Sequence, residues 1–300
     1  MPCVAFLLVP ELHLLDLAGP AQVFSTAAGL GYGYELAYVA ERPSVPAAQG
    51  VTLTARVDWP ELGRDDLILI PGWRAPRLRV NGRLAPQTLE RLRAHHAAGG
   101  TVASVCAGAD ALGQAGLLDG RRCTTHHAVQ DELARIYPRA RVVRDVLYVV
   151  DDRVVTSAGI ASGIDLALHL IAARHGPGAA GRIAREMVVY ARRNGDEQQE
   201  SAMLRYRSHL SDVVHRVQDI IDARFDEPLP LAGLAAAAGV SERTLTRLFG
   251  EATGMTPLRY QQRLRVERAE HLIGQGATVE AAARAVGFQD ARMLRRLRAR

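Results

Sequence analysis

Leu234-Ala235-Ala236-Ala237-Ala238-Gly239-Val240-Ser241-Glu242-Arg243-Thr244-Leu245-Thr246-Arg247-Leu248-Phe249 reads as a short apolar helix, a glycine stop, a polar cap and a basic helix. Leu231, Leu234, Ala235 and Ala238 recur at i, i+3, i+4 and i+7, one face of a helix. Gly239 permits the left-handed turn that ends it. Val240 is placed to fill the angle that follows, and Ser241 is a favoured N-cap. In the next helix Leu245, Leu248 and Phe249 share the inward face. Arg243, Thr246 and Arg247 share the outward one. This order predicts a helix-turn-helix whose second helix offers base- and phosphate-reading side chains. A helical hairpin with a solvated basic face is the plainer reading.

A second copy favours the sharper reading. Ala282-Ala283-Arg284-Ala285-Val286-Gly287-Phe288-Gln289-Asp290-Ala291-Arg292-Met293-Leu294-Arg295-Arg296 repeats the order of helix, glycine, apolar residue, polar cap and basic helix. Its outward set is Arg292, Arg295 and Arg296. The offset is 48 residues at Gly239/Gly287 and 49 at Leu245/Leu294, so the second turn is one residue longer. The units are predicted at 229–250 and 277–298. Thr256-Pro257-Leu258-Arg259-Tyr260 opens a long helix between them that runs to about Gly274.

Charge is divided in the same way. The chain of 300 residues carries a net +5, and all 37 basic residues are arginine. From Arg243 to Arg300 there are 12 arginines and 5 acids, net +7, which leaves −2 on residues 1–242. A basic end on a slightly acidic body is the electrostatic footprint of a DNA-binding domain. Three cysteines (Cys3, Cys106, Cys123) form no paired framework, which points to a reducing cytoplasm. No apolar run approaches 18 residues and no basic signal-peptide start is present, so no membrane association is expected.

The longer N-terminal part alternates strand and helix signals. Cys3–Val9, Tyr34–Val39, Leu67–Ile70, Thr101–Cys106 and Leu147–Val150 are short apolar runs. Ala21–Ala28 and Pro86–Ala97 are helical stretches between them. Leu67-Ile68-Leu69-Ile70 is continuously apolar, as a strand buried on both faces must be. The pattern predicts an α/β domain with a mostly parallel sheet. Two amphipathic helices, about Ser162–Arg174 and Gly178–Arg192, close it. The predicted organisation is an α/β domain over 1–192, a linker over 193–210 and an all-α domain over 211–300.

The chemical focus is Ser104-Val105-Cys106-Ala107-Gly108, where a buried strand meets a helix of small residues. A cysteine on so sharp a turn has the setting of a nucleophile elbow. Backbone amides at the helix start are expected to favour thiolate. A lone buried cysteine can equally be a small core residue.

Residues 211–300 resemble the DNA-binding domain of AraC/XylS-family regulators. The match rests on Gly239-Val240-Ser241-Glu242-Arg243-Thr244-Leu245, Gly254-Met255-Thr256-Pro257 and Gly287-Phe288. Members carry an aromatic residue near position 298, where Arg298 stands, so the second unit is expected to grip DNA less firmly. Residues 3–190 resemble the PfpI-like superfamily. The matching pieces are Phe6-Leu7-Leu8-Val9-Pro10, Leu15-Asp16-Leu17-Ala18-Gly19-Pro20, Ile70-Pro71-Gly72, Ser104–Gly108, Gly116–Arg122, Thr124-Thr125-His126 and Thr156-Ser157-Ala158-Gly159-Ile160. This resemblance implies the class I glutamine amidotransferase-like fold, a flavodoxin-like sheet. Joined to the AraC-type tail, the chain is similar to GlxA-family transcriptional regulators.

The N-terminal part also resembles isocyanide hydratases, which use a cysteine nucleophile with an aspartate acid/base; Cys106 and Asp16 match those positions. Two departures set it apart. Protease-like members have a histidine where Ala107 stands, and many enzymes have a second glycine where Trp73 follows Gly72. The resemblance therefore implies a non-catalytic pocket built from Asp16, Gly72, Trp73, Cys106, Ala107 and His126. Plainer roles stand beside these: Asp16 as a helix cap, Trp73 as core, and His126 exchangeable with His127.

The resulting expectation is a cytoplasmic regulator that dimerises through its α/β domain, senses a small nitrogenous metabolite and binds promoter DNA. It would contact RNA polymerase if it activates. No cofactor or metal is called for. One rival is a cysteine-dependent hydratase or amidase-like enzyme carrying a DNA-binding domain. Another is a constitutive DNA-binding protein whose α/β domain only dimerises.

Overall fold

The computed structural model describes residues 1–74, 78, 84–189, 193–196, 199, 206–207, 209–274 and 276–298. Its contacts divide the chain into two compact units, Met1–Gln199 and Glu200–Arg300.

In the first unit β1 (Cys3–Leu7) is buried along its whole length. β2 (Glu35–Val39) pairs with it in parallel. Two short pairs lie outside the main sheet: antiparallel β3 (Ser44–Pro46) with β4 (Thr52–Thr54), and parallel β7 (Arg122–Cys123) with β8 (Arg141–Val142). The main sheet adds β5 (Leu67–Ile70), β6 (Thr101–Val105), β9 (Tyr148–Asp151) and β10 (Val154–Ser157) in the order β2-β1-β5-β6-β10-β9. Only the β9–β10 pairing is antiparallel in this sheet. The helices of this unit are α1 (Leu14–Ala27), α2 (Pro86–Ala97), α3 (Ala109–Gln114), α4 (Gln130–Ile136), α5 (Ser162–His175) and α6 (Pro177–Glu186). α1, α5 and α6 pack against one another, while α2 packs against β6 and α3.

The fully buried strand over Leu67–Ile70 forms as its apolar run predicts. Register then places the site. Ile70 pairs with Ser104 and Ser104 with Thr156. The segments after β5, β6 and β10, namely Pro71-Gly72, Cys106 and Ala158-Gly159, therefore leave the sheet side by side. The carboxyl ends of parallel strands are where open α/β sheets place ligands.

Among the elements that differ from the sequence reading are α1, β10 and α6. α1 begins at Leu14 rather than Ala21. Pro20 lies inside this helix and against Gly163, although proline in a helix interior removes a backbone hydrogen bond. The apolar runs of the sequence do not single out β10 as a strand. It is four residues long and turns back from β9 through Asp152, which takes a φ of 55°. α6 ends at Glu186, and Arg192 lies outside the described residues.

The second unit is helical: α7 (Asp212–Ala223), α8 (Leu231–Ala238), α9 (Glu242–Thr253), α10 (Pro257–Gly274), α11 (Val279–Ala285) and α12 (Ala291–Arg298). α8–α9 and α11–α12 are the two helix-turn-helix units. Two apolar clusters hold them. The first gathers Val214, Val217 and Ile221 of α7 with Leu234, Ala238, Leu245, Phe249, Tyr260 and Leu264. The second gathers Val266, Ala269, Ala282, Ala283, Val286, Phe288 and Leu294. α10 contributes to both, so one continuous helix joins the units.

Candidate functional site

Cys106 sits immediately after β6 with a φ of 55°, a left-handed conformation that non-glycine residues rarely adopt. This turns the side chain off the sheet end. The segment is held from beneath by Thr125, whose hydroxyl donates to the Cys106 carbonyl at 2.7 Å. Neighbouring chain is packed tightly around it. A Cβ at Gly72 would lie 2.4 Å from an Asp16 oxygen and 2.5 Å from the Cys106 Cβ. A Cβ at Gly159 would lie 2.4 Å from the same Cys106 Cβ. Both glycines are required by close approach.

Asp16 lies in the first turn of α1 and is fully buried. It does not cap that helix, whose N-cap is His13. Its carboxylate instead ties together the segments leaving the sheet. One oxygen accepts from the Ile160 amide at 2.8 Å and the other from the Gly72 amide at 3.1 Å. Burial raises the Asp16 carboxyl above the ordinary range, opposed mainly by the Ile160 amide, the nearby His13 and the Gly72 amide. The Cys106 thiol is pushed up to about 12, first by burial and then by the negative charge of Asp16, against a lowering hydrogen bond from the Ala107 amide. The thiolate expected from the helix start is thus not the favoured form. Desolvation and a facing carboxylate outweigh one amide dipole.

Trp73, Cys106, Ala107, His126 and Ile160 line a pocket of about 470 Å³ together with His13 and Arg74. Asp16 and Gly72 form the layer behind Cys106. Trp73 is almost fully buried and bridges to Leu12. His126 caps the short turn His127–Val129 and accepts from the Ala128 amide at 3.3 Å. Arg74 is steadied by donation to the Ala48 carbonyl at 2.6 Å. Sequence reasoning gave no role to His13, Arg74, Thr125, Gly159 or Ile160. The Gly159-Ile160 motif was visible, but its approach to Asp16 depends on β10. Among the described residues no group of three or more His, Cys, Asp or Glu is placed to hold a metal ion. No helix among them is long and apolar enough to cross a membrane.

In the helical unit, Gly239 ends α8 at φ 70° and Ser241 caps α9, accepting from the Thr244 amide at 3.2 Å. Leu245 and Phe249 are fully buried. Arg243, Thr246 and Arg247 are all exposed on α9. Arg247 pairs with Glu251 at 2.9 Å; both side chains are 60% exposed. Such a pair contributes little and leaves the guanidinium able to exchange partners. In the second unit Asp290 caps α12, accepting from the Arg292 and Met293 amides at 2.7 and 3.1 Å. Arg292, Arg295 and Arg296 are exposed, and Arg295 pairs with Glu280 at 2.5 Å. α12 is held by fully buried Leu294 and half-buried Leu297.

An α/β domain with a buried acid–thiol pair, followed by two helix-turn-helix units on one linking helix, defines a two-domain architecture of pocket and DNA-reading surface. The chain belongs to the DJ-1/PfpI family, whose model matches residues 3–173, and a helix-turn-helix domain matches residues 234–300. It is 28% identical over 284 residues to the HTH-type transcriptional regulator GbdR of Pseudomonas aeruginosa, covering 91% of this chain and 74% of that one. It is 35% identical over 170 residues to the isonitrile hydratase of Pseudomonas putida, covering 56% of this chain and 69% of that one. The fold is shared with an AraC family transcriptional regulator from Pseudomonas putida, with a TM-score of 0.53 at 23% identity over 62% of this chain and all of that one.

Proposed function

We propose that this DNA-binding transcriptional regulator uses the Cys106 pocket to sense a small nitrogenous metabolite and so sets its affinity for promoter DNA. The observation that carries the sensor reading is the engagement of the acid–thiol pair. The Gly72 amide donates to Asp16 at 3.1 Å, and a Cβ at Gly72 would meet both Asp16 and Cys106, so the pair is closely packed. One backbone donor that could stabilise a developing oxyanion, the Gly72 amide, is thereby already used. The nucleophile itself is held protonated. Such a floor binds and orients a ligand without activating it. Trp73 offers an aromatic wall, while Arg74, His13 and His126 offer donors to an anionic group. The α/β domain also serves as the dimerisation module of a cytoplasmic homodimer, a compartment that suits three unpaired cysteines. Contact with RNA polymerase follows if the protein activates.

A second reading has its own support. The placement of Asp16 beside Cys106, with the 35% identity to an isonitrile hydratase, fits a cysteine-dependent enzyme on a DNA-binding chain. Incubation of purified protein with isocyanides, amides and small amino-acid derivatives separates the two. The sensor reading expects thermal stabilisation by at least one compound with no product formed. Multiple turnovers lost in Cys106→Ser would establish the enzyme instead.

A further inference from the structure

Arg265 lies on α10 between the two helix-turn-helix units, and its guanidinium reaches main-chain carbonyls in the loop that leads into the first and in the turn of the second. Nε donates to the Phe225 carbonyl at 2.6 Å and Nη2 to the Glu227 carbonyl at 2.9 Å. Both lie in the loop between α7 and α8. Nη1 donates to the Gly287 carbonyl at 2.8 Å, in the turn between α11 and α12. Its guanidinium also lies 5.6 Å from the centre of the Phe288 ring. Gln261, one turn earlier on α10, holds the same loop by donating to the Phe225 and Glu227 carbonyls at 2.9 and 2.7 Å.

The turn and the loop touch with no slack. A Cβ on Gly287 would lie 1.8 Å from the Asp226 carbonyl oxygen. Around Gly239, the equivalent glycine of the first unit, nothing lies within 4 Å of such a Cβ. Phe225 packs against both apolar clusters. The first turn is therefore open and the second is clamped, main chain against main chain, under one charged fork.

We infer that Arg265 is a positioning residue for DNA recognition: it fixes the separation of α9 and α12 and thereby the base-pair spacing the protein accepts. Each recognition helix rests on its own cluster, and among the described residues those clusters share α10 and Phe225. A one-base-pair change moves the second contact by about 3.4 Å along the duplex, which a rigid pair of helices cannot follow. Arginine suits the task because its planar fork serves several fixed acceptors at once, whereas a lysine ammonium is a single point charge. The role rests on the DNA-binding reading above.

The test uses full-length protein and a pool of random duplex DNA. Selection with the wild type is expected to yield two short motifs at one fixed spacing. Binding is then titrated on the selected DNA and on duplexes with one base pair added or removed between the motifs. For the wild type the altered spacing weakens binding about tenfold, comparable to losing a bidentate base contact. For Arg265→Met that ratio falls close to one, and Arg265→Lys lies between. Ratios equal to the wild type's in both variants, with affinity for every duplex reduced by the same factor, would show a merely structural role and overturn the proposal. A wild type indifferent to spacing overturns it as well. No motif enrichment at all would remove the DNA-binding reading itself.

Discussion

Asp16 and Cys106 show how far one carboxylate can reset its surroundings. The carboxylate raises the thiol both as a charge and as a hydrogen-bond acceptor, in addition to burial. Asp16→Asn removes the charge, so the thiol should become more acidic and iodoacetamide should modify Cys106 faster at pH 8 than in the wild type. An equal or slower rate would show that burial alone sets the thiol. The sign for stability follows from the same group. Asp16 titrates above its ordinary value, so the stability it contributes is full below that value and is lost as pH rises through the folded one. Melting temperatures across this range should fall in the wild type and stay flatter in Asp16→Asn. Gly72→Ala pushes a methyl group into both side chains and should cost about 1–3 kcal/mol, the usual range for overpacking. Urea melts that coincide with the wild type would contradict the close packing. The candidate site was legible at Asp16, Gly72, Cys106 and His126 because each stands in a motif, and at Trp73 and Ala107 because each departs from one. Ile160 was not legible as the donor to Asp16, because 144 residues separate them and only the β1-β5-β6-β10 order brings them together.

At the scale of elements, helix periodicity and caps carried the DNA-reading unit. Leu231, Leu234, Ala235 and Ala238 predict α8, Gly239 ends it, and Ser241 starts α9, as found. Ser241→Ala should therefore destabilise the helical unit by about 1 kcal/mol, the usual value of a lost N-cap; urea denaturation of the intact protein would show it. The two turn glycines should separate further. Gly239→Ala meets only left-handed backbone strain, about 1–2 kcal/mol. Gly287→Ala adds a collision with the Asp226 carbonyl and should lose clearly more. Equal losses would mean that the second turn is not clamped. Sequence rules were weaker in the α/β domain. Pro20 hid the first turns of α1, since proline normally ends a helix. β10 is too short to show a period.

For the whole molecule, the sequence divided charge and chemistry between two ends, with net +7 from Arg243 onward and a cysteine elbow in the acidic remainder. The structure forms the mostly parallel sheet in the first unit and the two helix-turn-helix units in the second. The chemical state of the elbow was not legible, because it depends on which amides and carboxylates surround the thiol in space. The central claim is that pocket and DNA surface are thermodynamically linked. A ligand that favours one state of the protein shifts DNA affinity by its differential affinity for the two states, and DNA must shift ligand affinity by the same factor. The most direct measurement is a fluorescence-anisotropy titration of selected duplex DNA with intact protein, without and with a saturating compound that stabilises it thermally. The account predicts a changed Kd for DNA, typically about 5–150-fold for coupling of 1–3 kcal/mol, and the reciprocal change in ligand affinity when DNA is bound. An identical Kd for DNA in the presence and absence of a compound bound at the Cys106 pocket would contradict it.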